Sequence, residues 1–246
     1  MTRHMPHMPR LPVFLTVAAA AITLLVAPST LWALKLPAAV IRFEINGTAG
    51  DGGVQFFLDG QGWKSCEISR PDGNHLVTVM ATITNNGSPG TNGLTELFIE
   101  SAEPSFAEQS LAALLALFPA GRYPFDCTTT DDKTLKSSAQ LTHKLPATPA
   151  PAHQFLPDNV VRIVWPPVAG PFEPGGQAVV IVAYEIIVER LSDGLKFSIT
   201  LPALPANNRV TVPAEFIKPN TQYKGEALAI EESGNQTIGE FEFTTP

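Results

Sequence analysis

Positive charge is scarce in this sequence, and that scarcity limits what the chain can bind. The chain has 16 Lys and Arg residues against 23 Asp and Glu residues, which gives a formal net charge of −7. Nonspecific binding of nucleic acids and of anionic membranes depends on clustered Lys and Arg side chains. The sequence contains no such cluster. It therefore argues against a nucleic-acid partner.

The sequence also lacks the short motifs that identify common catalytic and cofactor sites. It has no G-x-S-x-G segment, no H-E-x-x-H segment and no Gly-rich phosphate-binding loop. Beyond the N-terminal segment only His75, His143 and His153 remain. They are isolated along the sequence, so we interpret them as surface or strand-end residues. We predict no metal ligands, no cofactor and no catalytic residues.

An apolar segment near the N-terminus predicts export. The first ten residues include Arg3 and Arg10 but no acidic residue, and Val13–Val26 is an almost unbroken apolar run. This order is typical of a secretory signal peptide, which we place at residues 1–33. Cleavage near Ala33 would leave 14 basic and 23 acidic residues, a net charge of −9, in a secreted, periplasmic or cell-surface protein. The alternative is an uncleaved membrane anchor.

Cysteine is nearly absent, since the sequence has only Cys66 and Cys127. An even pair in an exported protein predicts a disulfide, which here would close a loop of 62 residues. For a loop of this length the chain-entropy relation gives about 4 kcal/mol of stabilisation. Two buried thiols are the alternative. Because no C-x-x-C segment is present, disulfide-exchange activity is not predicted.

The composition changes at residues 146–152, where three prolines alternate with small residues. Such a segment favours an extended polyproline conformation and is typical of a short semi-rigid spacer. We therefore predict two domains, residues 34–145 and residues 153–246. Each has about 100 residues, which is enough for a separate core.

The N-terminal domain shows the two-residue period of half-buried strands. The alternation is clearest in two apolar sets, Ile41, Phe43 and Ile45, and Tyr123, Phe125 and Cys127. One amphipathic helix interrupts it, with Ser105 and Glu108 as a capping box and Gly121 as the C-terminal stop. Its apolar stripe consists of Leu111, Leu114, Leu115 and Phe118. We expect this stripe to pack on the sheet, and the domain resembles no family that we can name.

The C-terminal domain has the pattern of seven short strands without a helix. The clearest strand segments are Val160–Trp165, Ala183–Val188, Phe197–Leu201, Arg209–Val212, the segment from Tyr223 through Ala229, and a last strand with Phe241 and Phe243. Just before the fifth of these, Ile217–Tyr223 places an apolar residue, a Pro, a Thr and a Tyr at alternate positions. This segment resembles the corner that enters strand F of a fibronectin type III domain.

The resemblance implies a β-sandwich with Trp165, Tyr184 and Tyr223 in its core and with the Tyr223 hydroxyl bound to upstream backbone. The chain as a whole is then mainly β, with an N-terminal β-rich domain that carries one amphipathic helix. Two features depart from the family pattern. The Pro166–Gly176 loop between strands B and C is long, and Gly225 stands where the family places a larger core residue.

A secreted, non-catalytic binding or interaction protein is the function that this resemblance implies. Fibronectin type III domains serve most often as spacers and interaction surfaces, although a fold alone does not fix a function. The partner would be a protein or a glycan, and membrane contact is expected only through an uncleaved anchor. The loop expected to make contact consists of Glu231, Glu232, Ser233, Gly234, Asn235 and Gln236. The Pro166–Gly176 loop is a second candidate.

The competing interpretation is a secreted hydrolase or carbohydrate-active protein whose site lies in the N-terminal domain. Such enzymes use paired carboxylates as general acid and general base. The candidate pairs are Glu44 with Asp59 and Glu96 with Glu100. A deep cleft holding two carboxylates would favour this interpretation. A shallow surface would favour binding.

Two further patterns have ordinary structural explanations. Five aspartates fall in turns, where calcium sites are often built, but turns also select Asp for local backbone reasons. They are Asp51, Asp59, Asp72, Asp131 and Asp132. Phe56, Phe57 and Trp63 flank a turn, as a carbohydrate-stacking platform would, and we interpret them as core residues.

Overall fold

A computed structural model describes residues 38–81, 84–85, 88–89, 92–158, 160–203 and 208–246. In these residues the chain is mainly β, with one short α-helix, and the predicted fold class is confirmed. The predicted signal segment, residues 1–33, lies outside the described residues. No helix in the described part of the chain is both long and apolar enough to cross a membrane.

The elements of the N-terminal half are mostly strands. They are β1 (Ala38–Asn46), β2 (Asp51–Ser69), β3 (His75–Met80), β4 (Thr84–Asn85), β5 (Ser88–Pro89), β6 (Leu94–Glu100), α1 (Leu111–Leu117), β7 (Gly121–Thr129) and β8 (Thr134–Leu141). The C-terminal half contains β9 (Ala152–Leu156), β10 (Val160–Val164), β11 (Ile181–Arg190), β12 (Leu195–Pro202), β13 (Arg209–Val212), a 3₁₀ turn (Ala214–Phe216), β14 (Gln222–Glu231) and β15 (Gln236–Thr244).

The C-terminal strands form a two-layer sandwich. One layer has the strand order β13-β10-β9, and the other has the order β12-β11-β14-β15. Alternate residues of each strand face the opposite layer because successive side chains point to opposite faces. The buried residues between the layers are Val161, Ile163, Trp165, Tyr184, Ile186, Val188, Val212, Tyr223, Ala227, Ala229 and Phe243.

Tyr223 anchors the corner that leads into β14. Its ring is fully buried, and its hydroxyl donates to the Phe216 carbonyl at 3.3 Å and accepts from the Lys218 N–H at 2.8 Å. Gly225, two residues further on, has no side chain because the ring of Phe241 fills the space that a Cβ would need. This contact explains why a glycine stands where the resemblance implied a larger core residue.

Trp165 and Tyr184 lie together in the same core. Their ring centroids are 5.5 Å apart, and both side chains are at least 95% buried. The Tyr184 hydroxyl accepts a hydrogen bond from the Val168 N–H at 2.7 Å. Tyr184 therefore holds the beginning of the long Pro166–Gly176 loop against the sandwich.

The N-terminal half is organised around β2, a strand of 19 residues that pairs with four others. Its first part pairs with β1 and β6, and its last part pairs with β7 and β3. The register with β6 shifts between Asp59 and Trp63, where glycines weaken the strand. One apolar core lies on the inner faces of these strands. It includes the Cys66–Cys127 disulfide, which confirms the predicted pairing.

The helix is shorter than predicted. It begins after Ser110, whose Oγ accepts from the Ala113 N–H at 3.3 Å. Only one bond of the predicted capping box forms, from the Ser105 N–H to the Glu108 carboxylate at 3.2 Å. The Ser105 hydroxyl donates to the same carboxylate, and Ser105 also forms a β-bridge with Asp51. That bridge holds Ser105 in extended backbone, so the residues after it form a turn and the helix starts one turn later.

The two halves share one sheet. β1 pairs in parallel with β15, with Glu44 opposite Gln236 and Asn46 opposite Ile238. This pairing joins the four-stranded layer of the sandwich to the N-terminal strands in a sheet of ten strands. The described residues accordingly belong to one compact unit.

The Pro/Ala-rich segment, residues 146–152, packs against both halves. Pro146 is buried and forms a β-bridge with Pro171 in the long loop. In the same loop Phe172 packs against the N-terminal core, and its ring lies 6.2 Å from that of Phe106. We expected a spacer that keeps two domains apart, and the segment instead lies between two halves in contact. The domain boundaries themselves stay a prediction.

Removing the disulfide should destabilise the protein strongly. Cys66 and Cys127 are both buried and are directly opposite each other in β2 and β7. The double variant Cys66→Ala/Cys127→Ala should lower the free energy of unfolding by about 4 kcal/mol because its unfolded chain is less constrained. Urea unfolding measures this difference, and Ser198→Ala on exposed β12 serves as a control. A loss below about 1 kcal/mol would contradict the prediction.

Candidate binding surface

The outer face of β1, β2 and β6 carries the candidate surface. Val54, Phe56 and Leu58 of β2 are buried in the core, so Gln55 and Phe57 point to the opposite face. Residues that are directly paired in neighbouring antiparallel strands share a face. The register of the three strands therefore determines which side chains are neighbours on the outside.

An apolar row crosses this face. Val40 of β1 pairs with Phe57 of β2, which pairs with Phe98 of β6, and Phe98 is 50% exposed. Beside this row, Asp59 and Glu96 are cross-strand partners and form an acidic rim. Like charges directly opposite each other destabilise a strand pair. The rim therefore favours a positively charged group from outside the sheet.

Three carboxylates converge at the other end of the face and form what we call the acidic cluster. Glu44, Glu100 and Glu103 each place one oxygen within 4.8 Å of the others. None of the three forms a salt bridge with another described residue. The cluster thus concentrates negative charge without a salt bridge, and Arg42 is the nearby cation that acts to lower the pKa of Glu44.

A glycine makes room for this cluster. Gly53 is the β2 partner of Glu44 and lies on the outer face. A Cβ at this position would approach the Ser101 Oγ to 2.6 Å and the Glu103 Cγ to 3.0 Å. Since Gly53 has no side chain, Glu103 lies across β2 and reaches Glu44.

Two buried glutamines contact the cluster from either side. Gln55 donates from Nε2 to Glu100 Oε1 at 2.7 Å, and its own Oε1 accepts from Arg42 Nε at 2.8 Å. Gln236, the β15 partner of Glu44, donates from Nε2 to Glu44 Oε2. Gln236 is 2% exposed, and its Oε1 has no hydrogen-bond partner among the described residues.

The crowding changes the acid strength of the cluster. The pKa of Glu103 is raised from 4.5 to about 7. The main cause is the loss of water around the carboxylate, followed by repulsion from Glu100, Glu44 and Asp51. Burial also raises the pKa of Glu44, although the hydrogen bond from Gln236 opposes this rise.

The predicted contact loop, Glu231–Gln236, packs against the N-terminal half. Asn235 accepts from the Phe43 N–H at 2.8 Å, and its Nδ2 donates to the carbonyls of Thr142 at 2.9 Å and Lys144 at 3.1 Å. Glu231, Asn235 and Gln236 are buried, Ser233 and Gly234 are partly buried, and only Glu232 is exposed. This placement differs from the expectation that the loop presents its side chains to a partner. Asn235 instead satisfies backbone groups of the N-terminal half, and the exposed Glu232 pairs with Lys144.

The carboxylate pairs of the hydrolase interpretation are not brought together. The β1 residue that pairs with Asp59 is six residues away from Glu44 along the strand. This separation places Glu44 and Asp59 about 20 Å apart. Glu96 and Glu100 are four residues apart on β6, or about 13 Å. Glycoside hydrolysis uses carboxyl groups about 5–9.5 Å apart. The carboxylates that do converge lie on an open sheet face, where Glu100 and Glu103 are exposed.

The other residues singled out in the sequence lie in the core or in turns. Phe56 and Trp63 are buried, so they do not form a stacking platform with Phe57. Three of the turn aspartates are engaged locally: Asp72 accepts from the Asn74 N–H, Asp131 pairs with Lys133, and Asp132 pairs with Lys64. Asp51 lies near the acidic cluster and contributes to the raised pKa of Glu103.

Sequence reasoning missed the apolar row and most of the acidic cluster. The sequence does not single out Phe98 as a contact residue, and nothing in it connects Glu103 and Gln236 with Glu44. The alternation of β6 does predict that Glu96, Phe98 and Glu100 share one face. No local sequence pattern predicts that Gln236 lies on the same face.

No protein-family sequence profile matches the chain, and no curated protein matches it. Among solved structures it is similar to the FN1–FN3 domains of chicken CNTN1, at 11% identity with a TM-score of 0.36, over 86% of this chain and 64% of that one. It is also similar to a two-domain fibronectin type III segment of chicken tenascin, at 9% identity with a TM-score of 0.32, over 86% and 97%. The chain thus spans less than two thirds of the CNTN1 segment.

Protonation of Glu103 should make stability depend on pH. The pKa of about 7 in the folded protein lies above the ordinary value of 4.5. The stability that the protonated Glu103 side chain contributes is therefore fully present below pH 4.5 and is lost as the pH rises through 7. In EDTA, Glu103→Gln should therefore melt above the unmutated protein at pH 8, and the gap should shrink towards pH 5. Glu173→Gln, which removes an exposed charge elsewhere, controls for net charge. A gap that is constant from pH 5 to pH 8 would contradict this assignment.

Proposed function

We propose that this chain is an exported, non-catalytic protein that binds another protein through the outer face of β1, β2 and β6. The observation that supports this proposal is Phe98, which is 50% exposed in an apolar row with Val40 and Phe57. Aromatic residues, phenylalanine included, are enriched in the buried parts of protein interfaces relative to the rest of the surface. Complete burial of a phenylalanine side chain contributes about 1.5–3 kcal/mol, and half of the Phe98 surface is left for a partner to cover.

The acidic rim determines the kind of partner. Asp59 and Glu96 lie opposite each other and form no salt bridge with described residues. A Lys or Arg side chain from a partner would relieve their repulsion and fix the orientation of the complex. We therefore propose a protein partner that presents an apolar group flanked by basic residues. The net negative charge of the chain supports the same choice.

Export is proposed on two grounds. The N-terminal residues have the order of a signal peptide, and the disulfide lies in the core of the N-terminal half. Disulfides of this kind form and persist in oxidising compartments. A secreted, periplasmic or surface location is consistent with both.

Site-specific photo-cross-linking in the exporting cells tests this proposal. A photoreactive phenylalanine analogue is placed at position 98 or, as a control, at Leu195, which is 54% exposed on β12. The analogue at position 98 should capture a discrete protein, whereas the one at position 195 should not. Capture only at position 195, or capture of glycan without protein at position 98, would contradict the proposal.

Substitution then measures the contribution of the same surface. With the captured partner purified, Phe98→Ala should weaken binding at least tenfold, because an aromatic anchor contributes about 1.4 kcal/mol or more. Leu195→Ala should leave the affinity unchanged. Equal affinities for all three proteins would show that the apolar row does not bind the partner.

A further inference from the structure

We propose that the protein partner adds a β-strand to the free edge of β6, with basic side chains beside Glu96 and Glu100 and an apolar side chain beside Phe98. This inference rests on the proposed function and specifies how the partner is recognised. Strand addition is a recurring mode of peptide binding. In it, main-chain hydrogen bonds supply affinity and alternate side chains supply specificity.

The strand β6 (Leu94–Glu100) lies at an edge of its sheet. It pairs with β2, and no other described strand pairs with it. Natural proteins commonly block such edges with a proline or a bulge. β6 contains no proline, and its register with β2 is regular from Glu96 to Glu100. Its backbone therefore presents a regular edge to a further strand.

The hydrogen-bond pattern shows which backbone groups face this edge. In an antiparallel pair, residues that exchange hydrogen bonds with the partner strand alternate with residues that do not. The Ser101 N–H donates to the Val54 carbonyl at 3.0 Å, so every second residue before Ser101 also bonds to β2. The residues between them point their N–H and C=O groups away from β2. These residues are Glu96, Phe98 and Glu100.

The same three residues present their side chains on the outer face of the sheet. Phe98 is 50% exposed, and Glu96 and Glu100 are also exposed. Side chains directly opposite each other on neighbouring strands interact, and opposite charges stabilise such a pair. An added strand would place one side chain beside each of the three. Basic residues are therefore favoured beside the two carboxylates, and an apolar residue is favoured beside Phe98.

The other side of β6 determines the intervening positions of the partner. Leu97 and Ile99 pack against the N-terminal core but are only partly buried. Two residues of an added strand would lie opposite them on this inner face. Apolar side chains there would cover the surface that remains exposed. The recognised pattern is thus a basic residue, three apolar residues and a second basic residue, with the basic residues and the central apolar residue on the outer face.

A second copy of β6 fits this edge poorly. Glu96 and Glu100 are each two residues from Phe98. Antiparallel pairing of two copies about Phe98 would therefore set Glu96 of one copy opposite Glu100 of the other. Like charges directly opposite each other are destabilising. Specific interfaces commonly repel wrong partners in this way, and here the repulsion favours a basic strand over self-association.

Hydrogen exchange of backbone amides, followed by NMR, tests the edge with a defined probe. The probe is the alternating peptide acetyl-Thr-Lys-Val-Leu-Val-Lys-Thr-amide, which reads the same in both directions. In the free protein the amides of Leu97 and Ile99 should be protected, whereas those of Glu96, Phe98 and Glu100 should exchange rapidly. Saturating peptide should slow exchange at the last three amides by at least about tenfold, because they become hydrogen-bonded.

A peptide of the same composition, acetyl-Thr-Val-Lys-Lys-Leu-Val-Thr-amide, is the matched control. Its adjacent lysines point to opposite faces of a strand, so one of them always lies on the inner face. It should bind at least about tenfold more weakly than the alternating peptide. Equal binding of the two peptides would overturn the proposal. So would the absence of protection at Glu96, Phe98 and Glu100 in the presence of the alternating peptide.

Proline substitution separates the backbone contribution from the charge. Glu96→Pro removes an N–H that points away from β2, and proline is tolerated at such positions of edge strands. Glu96→Gln removes the same charge and keeps the N–H. The proline variant should bind the alternating peptide at least about fivefold more weakly than the glutamine variant. Ser198→Pro, on edge strand β12, should not change binding, since its N–H also points away from its strand partner.

Failure of strand addition and failure of the proposed function give different results. A captured partner that binds Glu96→Pro and Glu96→Gln equally, but Phe98→Ala weakly, would show that the outer face binds the partner without an added strand. If position 98 captures no protein in cells while the peptide protects the edge, the proposed function fails and only the peptide specificity of β6 stands.

Discussion

The side chain of Asn235 holds the turn between β14 and β15 against the N-terminal half, and much of the structure depends on it. The β1–β15 pairing begins at Glu44, so the N–H of Phe43 has no strand partner on that side and donates to Asn235 instead. The carbonyls of Thr142 and Lys144, just beyond β8, accept from the same side chain. A buried backbone group without a partner is costly. One amide therefore satisfies three backbone groups from two parts of the N-terminal half.

This junction turns two β structures into one continuous surface. The ten-stranded sheet runs from β12 of the sandwich to β8 of the N-terminal half, and the long loop after Trp165 brings Phe172 onto the N-terminal core. On an isolated sandwich the Glu231–Gln236 and Pro166–Gly176 loops would be free to bind partners. In this molecule they pack against the N-terminal half. The exposed outer face of β1, β2 and β6 then becomes the best-supported binding surface, with Phe98 at its edge and carboxylates on both sides.

Local patterns predicted much of this fold. The alternation of Ile41, Phe43 and Ile45 identified β1, the Tyr223 corner identified the sandwich, and the cysteine pair identified the disulfide. Each of these signals is either a pattern of a few neighbouring residues or the number of residues of one type. The joining of the halves and the acidic cluster depend on register between strands nearly 200 residues apart. No local pattern specifies that register, so the position of Asn235 and Gln236 could not be predicted.

Differential scanning calorimetry of the exported protein tests the central claim, which is that the two halves form a single cooperative structure. The account predicts one transition in which the calorimetric and van't Hoff enthalpies agree, since β1, β15 and the Asn235 contacts must be lost together. Two resolved transitions, each with the enthalpy expected for about 100 residues, would contradict it and restore the picture of two independent domains on a spacer.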